Sequence, residues 1–92
     1  MEMKQVPGED RGTIVLYALS TCGWCRKTKG LLGELGVAYQ YLDVDLLPAK
    51  EQDEIMEEVR KHNPGCSFPT MVIDGGKAII GFREAEIREA LT

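Results

Sequence analysis

The chain lacks any apolar run long enough to cross a bilayer: Ile14 to Leu19 is among its longest, and a spanning helix needs roughly 20 residues. Residues 1–12 have no apolar centre either, mixing Glu2, Lys4, Glu9, Asp10 and Arg11 with Pro7 and Gly8. This segment is therefore expected to be a loose, flexible tail and not a secretion signal, and the protein is expected to be cytoplasmic, away from membranes. Positive charge is also short. With 11 Lys and Arg against 15 Asp and Glu the net charge is −4, which offers phosphate backbones no general attraction and argues against nucleic-acid binding. Cysteine is scarce as well: three residues, an odd number in a compartment that disfavours permanent bridges. Those thiols should be reactive, ligating or simply buried.

What remains is the composition of an ordinary globular domain. The 43% hydrophobic residues among 92 are enough for one core and too few for a second domain. Residues 13–92 are expected to form that single domain. "TIVLYAL", Thr13 to Leu19, is a continuous β-branched and aromatic run, the pattern of a strand buried on both faces. Ser20 or Thr21 then offers a hydroxyl to cap a helix, whose inward positions Cys25, Thr28, Leu32 and Leu35 follow at helical spacing until Gly36. "VAYQYLDVD", Val37 to Asp45, suggests a second strand. Pro48 suits the first turn of a second helix with Ile55, Met56 and Val59 on one stripe, ended by the turn chemistry of "HNPG". Two short strands, Met71 to Ile73 and Ala78 to Ile80, flank the "DGG" of a hairpin, and Arg83 to Leu91 forms a last helix with Ile87 and Leu91 inward. The order β-α-β-α-β-β-α predicts an α/β fold: a central four-stranded mixed sheet flanked by helices, its first βαβ unit parallel and right-handed.

Chemistry concentrates in "LSTCGWCRKTKG", residues 19–30. Cys22 and Cys25 stand at i and i+3 where the strand gives way to the helix, so both fall on nearly the same face within reach of a short-loop disulfide. Free N–H groups and the positive end of the helix dipole stabilise a thiolate at the first position. Cys22 is thus the expected attacking sulfur. Cys25, a turn deeper, can attack a mixed disulfide on Cys22 and release the reduced partner. Two alternatives stay open: a Cys3His zinc site completed by Cys66 and His62, and a pair of cysteines that merely pack.

A strand ending in "STCGWC", a helix, a strand with "DVD", then "SFPT", a "DGG" hairpin and "IIGFREAEI" resembles a glutaredoxin of the thioredoxin superfamily, and more closely the glutaredoxin-like NrdH-type redoxins. The resemblance covers nearly everything from Thr13 onward. It implies a thioredoxin fold and thiol-disulfide oxidoreductase activity, with Cys22 as nucleophile, Cys25 as resolving thiol, and Thr21, Gly23, Trp24, Phe68, Pro69, Gly81 and Phe82 as substrate-contact positions. It also implies a cis bond between Phe68 and Pro69, presenting the Phe68 backbone beside the dithiol to an extended substrate chain. An ordinary trans turn proline is the alternative. No organic cofactor is needed. The implied partners are disulfide-containing client proteins, with ribonucleotide reductase a candidate from the NrdH-type likeness alone, and a flavin or iron–sulfur disulfide reductase as electron donor. Nothing requires more than a monomer.

Departures from the family pattern narrow the expectation. Many glutaredoxins carry, three residues before the first cysteine, a lysine that meets a glutathione carboxylate; Leu19 stands there in this chain. The Gly-Gly and following acidic or hydroxyl residues that meet the other end of glutathione read instead as Gly81, Phe82, Arg83 and Glu84. Glutathione is therefore not the expected reductant, and a reductase protein or another small thiol is. The same departures count against the rival function, a [2Fe–2S] cluster held between two subunits with glutathione as co-ligand. Between the cysteines, Gly23 and Trp24 replace the common Pro-Tyr; Gly23 loosens the helix start and should shift the reduction potential. Trp24 is either an exposed platform for a partner or a side chain folded over the dithiol.

The remaining polar residues have plainer expectations. Cys66 is read as a small buried hydrophobe, with a second redox centre as the alternative. His62 is read as a solvated helix-end residue. Arg26, Lys27 and Lys29 either help hold the thiolate or form a solvated face. Asp43 and Asp45 are read as the end of a strand. Glu51, Asp53, Glu54, Glu57 and Glu58 are the outer face of the second helix.

Overall fold

The computed structural model describes residues 3–92. Its elements run β1 (Lys4–Val6), β2 (Ile14–Ala18), α1 (Gly23–Leu35), β3 (Tyr39–Asp43), a 3-10 turn (Val44–Leu46), α2 (Ala49–His62), β4 (Thr70–Ile73), β5 (Lys77–Ile80) and α3 (Glu84–Leu91). The sheet has five strands in the order β1-β3-β2-β4-β5. Strands β2 and β3 are parallel, joined through α1, and every other pair is antiparallel.

The central strand explains its own composition. Alternate residues of a strand point to opposite faces, so Ile14, Leu16 and Ala18 enter a core with Leu31, Leu32, Ile87 and Leu91 of α1 and α3. Tyr17 enters the other core, with Leu42, Ile55, Val59 and Val72 beneath α2. A strand covered on both sides has no polar face to show. Leu16 and Leu32 are 0% exposed, and burial of such a side chain contributes about 1.5–3 kcal/mol. Helix α1 stops where expected: Gly36 takes φ 70°, and its N–H donates to the Gly33 carbonyl at 3.1 Å while Val37 N–H reaches back to Leu32 at 3.4 Å. Pro48 lies one residue outside α2, as its N-cap. The hairpin turns through Asp74, Gly75 and Gly76 as expected.

Two expectations need correction here, the loose tail and the four-stranded sheet. Residues 4–6 pair in antiparallel register with β3, Lys4 opposite Tyr41 and Val6 opposite Tyr39. The physical reason is the outer edge of β3, which without β1 would present a row of unpaired backbone groups. Beyond β1, Glu9 N–H donates to Gly36 and Ala38 N–H to Glu9, both at 2.8 Å. Met1 and Glu2 lie outside the described residues. Gly8 makes the docking close. A Cβ there would stand 2.6 Å from the Val37 carbonyl carbon and 2.7 Å from both Ala38 N and Gly36 O, all backbone that cannot swing aside. Gly8→Ala is therefore expected to destabilise the fold by about 1–3 kcal/mol, read as a lowered urea midpoint; an unchanged midpoint would mean that the N-terminal segment does not stay docked.

Candidate active site

The turn from β2 into α1 carries the two cysteines. Cys22 has extended backbone, φ −87° and ψ 119°, and is itself the N-cap of α1: its Sγ accepts from the Cys25 N–H at 3.2 Å. This corrects the expected cap, because neither Ser20 nor Thr21 serves. Ser20 is drawn away, its hydroxyl donating to the Asp45 carboxylate, so sulfur takes the capping position that oxygen usually fills. Both cysteines are free thiols, Cys22 partly exposed and Cys25 fully buried. Burial first, and then the hydrogen bond with Cys22, push the Cys25 thiol up to about 12. The neutral form is therefore the stable one for the inner sulfur.

Next to the head of α1 lies an open depression of about 240 Å³ lined by Trp24, Phe68, Pro69, Gly81 and Phe82. Three separate segments build it: the first turn of α1, the loop before β4, and the loop after β5. The Phe68–Pro69 bond is cis. Gly81 N–H donates to the Pro69 carbonyl at 2.9 Å, tying the second and third walls together. Trp24 is 58% exposed, yet it also stacks on Phe82 with centroids 5.9 Å apart and planes at 26°. Trp24 is thus largely exposed, and the ring it packs on is Phe82. The Lys27 ammonium sits 4.7 Å from the Trp24 ring centre. Thr21 and Gly23 are exposed and flank Cys22 without lining the depression.

Other residues fall elsewhere. Lys29 does not form a solvated face: its ammonium pairs with Asp43 at 2.9 Å and lies 4.2 Å from the Tyr41 ring centre. Cys66, partly exposed at φ 51°, is not the buried hydrophobe expected, because it rides on the loop leading to Pro69 with Arg60 beside its thiol. His62 does end α2, but its side chain is only 18% exposed. Cys22, Cys25, His62 and Cys66 are not gathered: among the described residues no group of three or more potential metal ligands comes together. Also among the described residues, no helix is long and apolar enough to cross a membrane.

One supporting residue escaped the sequence. Asn63 is 4% exposed, and its Nδ2 donates to the Ser67 carbonyl at 3.1 Å, the Ser67 hydroxyl at 3.0 Å and the Thr70 hydroxyl at 3.0 Å. Its Oδ1 accepts from Gly65 N–H at 3.1 Å. This single amide shapes the loop that delivers Phe68 and Pro69. In sequence it is hidden inside "HNPG", where asparagine reads as turn chemistry; the one signal is its place between buried Val59 and the incoming β4.

Residues 14–78 match the family model Glutaredoxin. A glutaredoxin-like 8.6 kDa protein in the rubredoxin operon of Clostridium pasteurianum is 36% identical over 74 residues, covering 80% of this chain and 91% of that protein. Among solved structures, methanoredoxin of Methanosarcina acetivorans is 54% identical with a TM-score of 0.89, covering 91% of this chain and 88% of that one. A glutaredoxin of Methanosarcina mazei Go1 is 55% identical with a TM-score of 0.90, covering 97% of this chain and 86% of that one. A sheet of this topology, a dithiol at the head of α1 and a match spanning most of the chain make it a member of the glutaredoxin family.

Proposed function

We propose that the chain is a dithiol-disulfide oxidoreductase that reduces disulfides in client proteins. The carrying observation is the asymmetry of the two sulfurs: Cys22 partly exposed and held by the Cys25 N–H at 3.2 Å, Cys25 fully buried one turn behind. In the first step the Cys22 sulfur, as thiolate, attacks one sulfur of the client disulfide. A Cys22–client bond forms, and the second client sulfur leaves as a thiolate that takes up a proton. In the second step Cys25 gives up its proton and attacks the Cys22 sulfur. The internal disulfide closes and the client's remaining sulfur departs as a thiol, so two electrons have passed to the client.

Cys25 is suited to wait. As a neutral thiol it does not compete for the client, and when Cys22 becomes part of a mixed disulfide the thiol–thiol hydrogen bond that favours the protonated inner sulfur is lost. The depression formed by Trp24, Phe68, Pro69, Gly81 and Phe82 is read as the seat of the client segment around its disulfide, with exposed Trp24 as the anchor. Leu19 and Phe82 support a reductant other than glutathione: a flavin or iron–sulfur disulfide reductase, or another small thiol. Ribonucleotide reductase as a client follows from the NrdH-type likeness alone.

The test is reduction of insulin disulfides with dithiothreitol as electron supply. Wild type should accelerate precipitation of the insulin B chain well above the dithiothreitol background, and Cys66→Ser should stay within about twofold of it, because Cys66 takes no part in the exchange. A wild-type protein no faster than background overturns the reading.

A further inference from the structure

The two aspartates of "DVD", beyond ending a strand, converge on the element that bears the dithiol. Asp45 lies in the 3-10 turn after β3 and Ser20 in the turn before α1, 25 residues apart in sequence. The Asp45 carboxylate takes both of the serine's donors: Ser20 N–H at 2.7 Å on one oxygen and the Ser20 hydroxyl at 2.5 Å on the other. Those bonds hold the carboxyl below its ordinary value, and the same turn is braced from α2 by the Gln52 amide, which donates to the Leu47 carbonyl at 2.9 Å. Asp43, two residues earlier, receives Lys29 from the second turn of α1 at 2.9 Å. Between the two anchor points sit Cys22 and Cys25.

We propose that Asp45 is a positioning residue for the redox sulfur: by clamping Ser20 to the turn after β3, with Asp43 and Lys29 as the second anchor, it sets Cys22 at the head of α1. Cys22 itself is tied by its N–H to the Leu19 carbonyl at 3.2 Å and through its carbonyl to Arg26 N–H at 3.1 Å, and the clamp adds a tie from outside α1 that fixes how the turn presents the sulfur to the Cys25 N–H. Without that tie a thiolate there loses part of its stabilisation by the helix end. The inference rests on Cys22 being the nucleophile, and it concerns how that sulfur is held, not which client it meets.

The experiment measures the alkylation rate of Cys22 by iodoacetamide across pH, in the reduced protein carrying Cys66→Ser, and needs no client. Arg26, Lys27 and Lys29 of α1 and the Asp45 carboxylate itself are the charges near Cys22; since removal of the carboxylate alone would favour a thiolate, a profile moved to higher pH in Asp45→Ala, with alkylation at pH 7 slowed about two- to fivefold, reads the loss of one to two solvent-exposed hydrogen bonds of the clamp. Ser20→Ala, which keeps the N–H bond, should give a smaller shift in the same direction. Asp45→Asn keeps an acceptor for Ser20 N–H and should restore part of the loss. Circular dichroism and the urea midpoint establish that each variant is folded, and Ser20→Ala with Asp45→Asn decide the matter if Asp45→Ala is not. Profiles superimposable on wild type in the folded variants overturn the clamp, even where insulin is reduced normally. A shifted profile in a protein that fails on insulin supports the clamp and overturns the oxidoreductase reading instead.

Discussion

Cys22→Ser should abolish insulin reduction, while Cys25→Ser should turn the protein from a catalyst into a trap. The first change removes the only sulfur of the pair that solvent and client can reach. Turnover should fall to the dithiothreitol background, on the order of 100-fold or more, because a serine hydroxyl does not exchange with disulfides. The second change leaves the attack intact and deletes the resolving step, so a covalent Cys22–client species should accumulate to about one per protein, visible by mass spectrometry without reductant. Unimpaired turnover with Cys25→Ser would mean that an external thiol resolves the intermediate, and the two-cysteine mechanism would fall. The same thiol makes stability depend on pH. Its value in the fold, about 12, is raised above the ordinary 9.0, so its contribution to the reduced protein is whole below pH 9 and lost as pH rises through 12. Cys25→Ser should lack that alkaline loss in a urea titration.

Asn63→Ala should lower stability by about 2–4 kcal/mol. The amide's two N–H hydrogens are shared among three acceptors and its oxygen accepts one bond, while the residue is 4% exposed. Truncation removes those bonds, each contributing about 0.5–1.5 kcal/mol; Ser67 and Gly65 are exposed and can turn to water, while the buried Thr70 hydroxyl loses a donor in a place with little water. The Thr70 hydroxyl keeps its own donation to the Ser67 carbonyl at 2.7 Å, which limits the damage. The loop from Asn63 to Thr70 also forms one wall of the depression, so the variant should show a higher KM for insulin along with the lower urea midpoint. A change below about 0.5 kcal/mol, the scatter of ordinary surface substitutions, would mean that the loop is held by its backbone alone.

How much of this could be read from the residues follows the range of the interactions. Elements announced by local pattern were legible: β2 by its unbroken apolar run, α1 by spacing and Gly36, the hairpin by Asp74, Gly75 and Gly76. So was the pair of cysteines, whose separation carries its own chemistry, and the cis bond at Pro69 came with the family resemblance. The failures share one physical cause, a partner far along the chain. Strand β1 looks like a tail because an edge strand three residues long needs no apolar pattern, only the free edge of β3 some 35 positions away. Ser20 or Thr21 was expected to cap α1 because nothing local reveals Asp45. Lys29 looked like a surface charge because Asp43 and Tyr41 reach it only after the sheet has formed. Asn63 looked like turn chemistry, which it is, but its amide is spent on residues that the turn later brings back.

The layering of the fold separates the charges next to the dithiol from those behind the sheet, while the exposed Glu84, Glu86 and Glu89 of α3 share the dithiol face. Helices α1 and α3 cover the face of the sheet that carries the dithiol, and α2 covers the other. Exposed Arg26 and Lys27 therefore stand beside Cys22, while Asp53, Glu54 and Glu57 point outward from the far side. A net charge of −4 describes neither side. Under the proposed exchange, a client with an acidic surface would be repelled by Asp53 and Glu54 of α2 and drawn to Arg26 and Lys27, and so would meet Cys22 more often than a random collision allows. Added salt shortens the reach of both forces, and the molecule then loses its orientation toward the partner before it loses any contact.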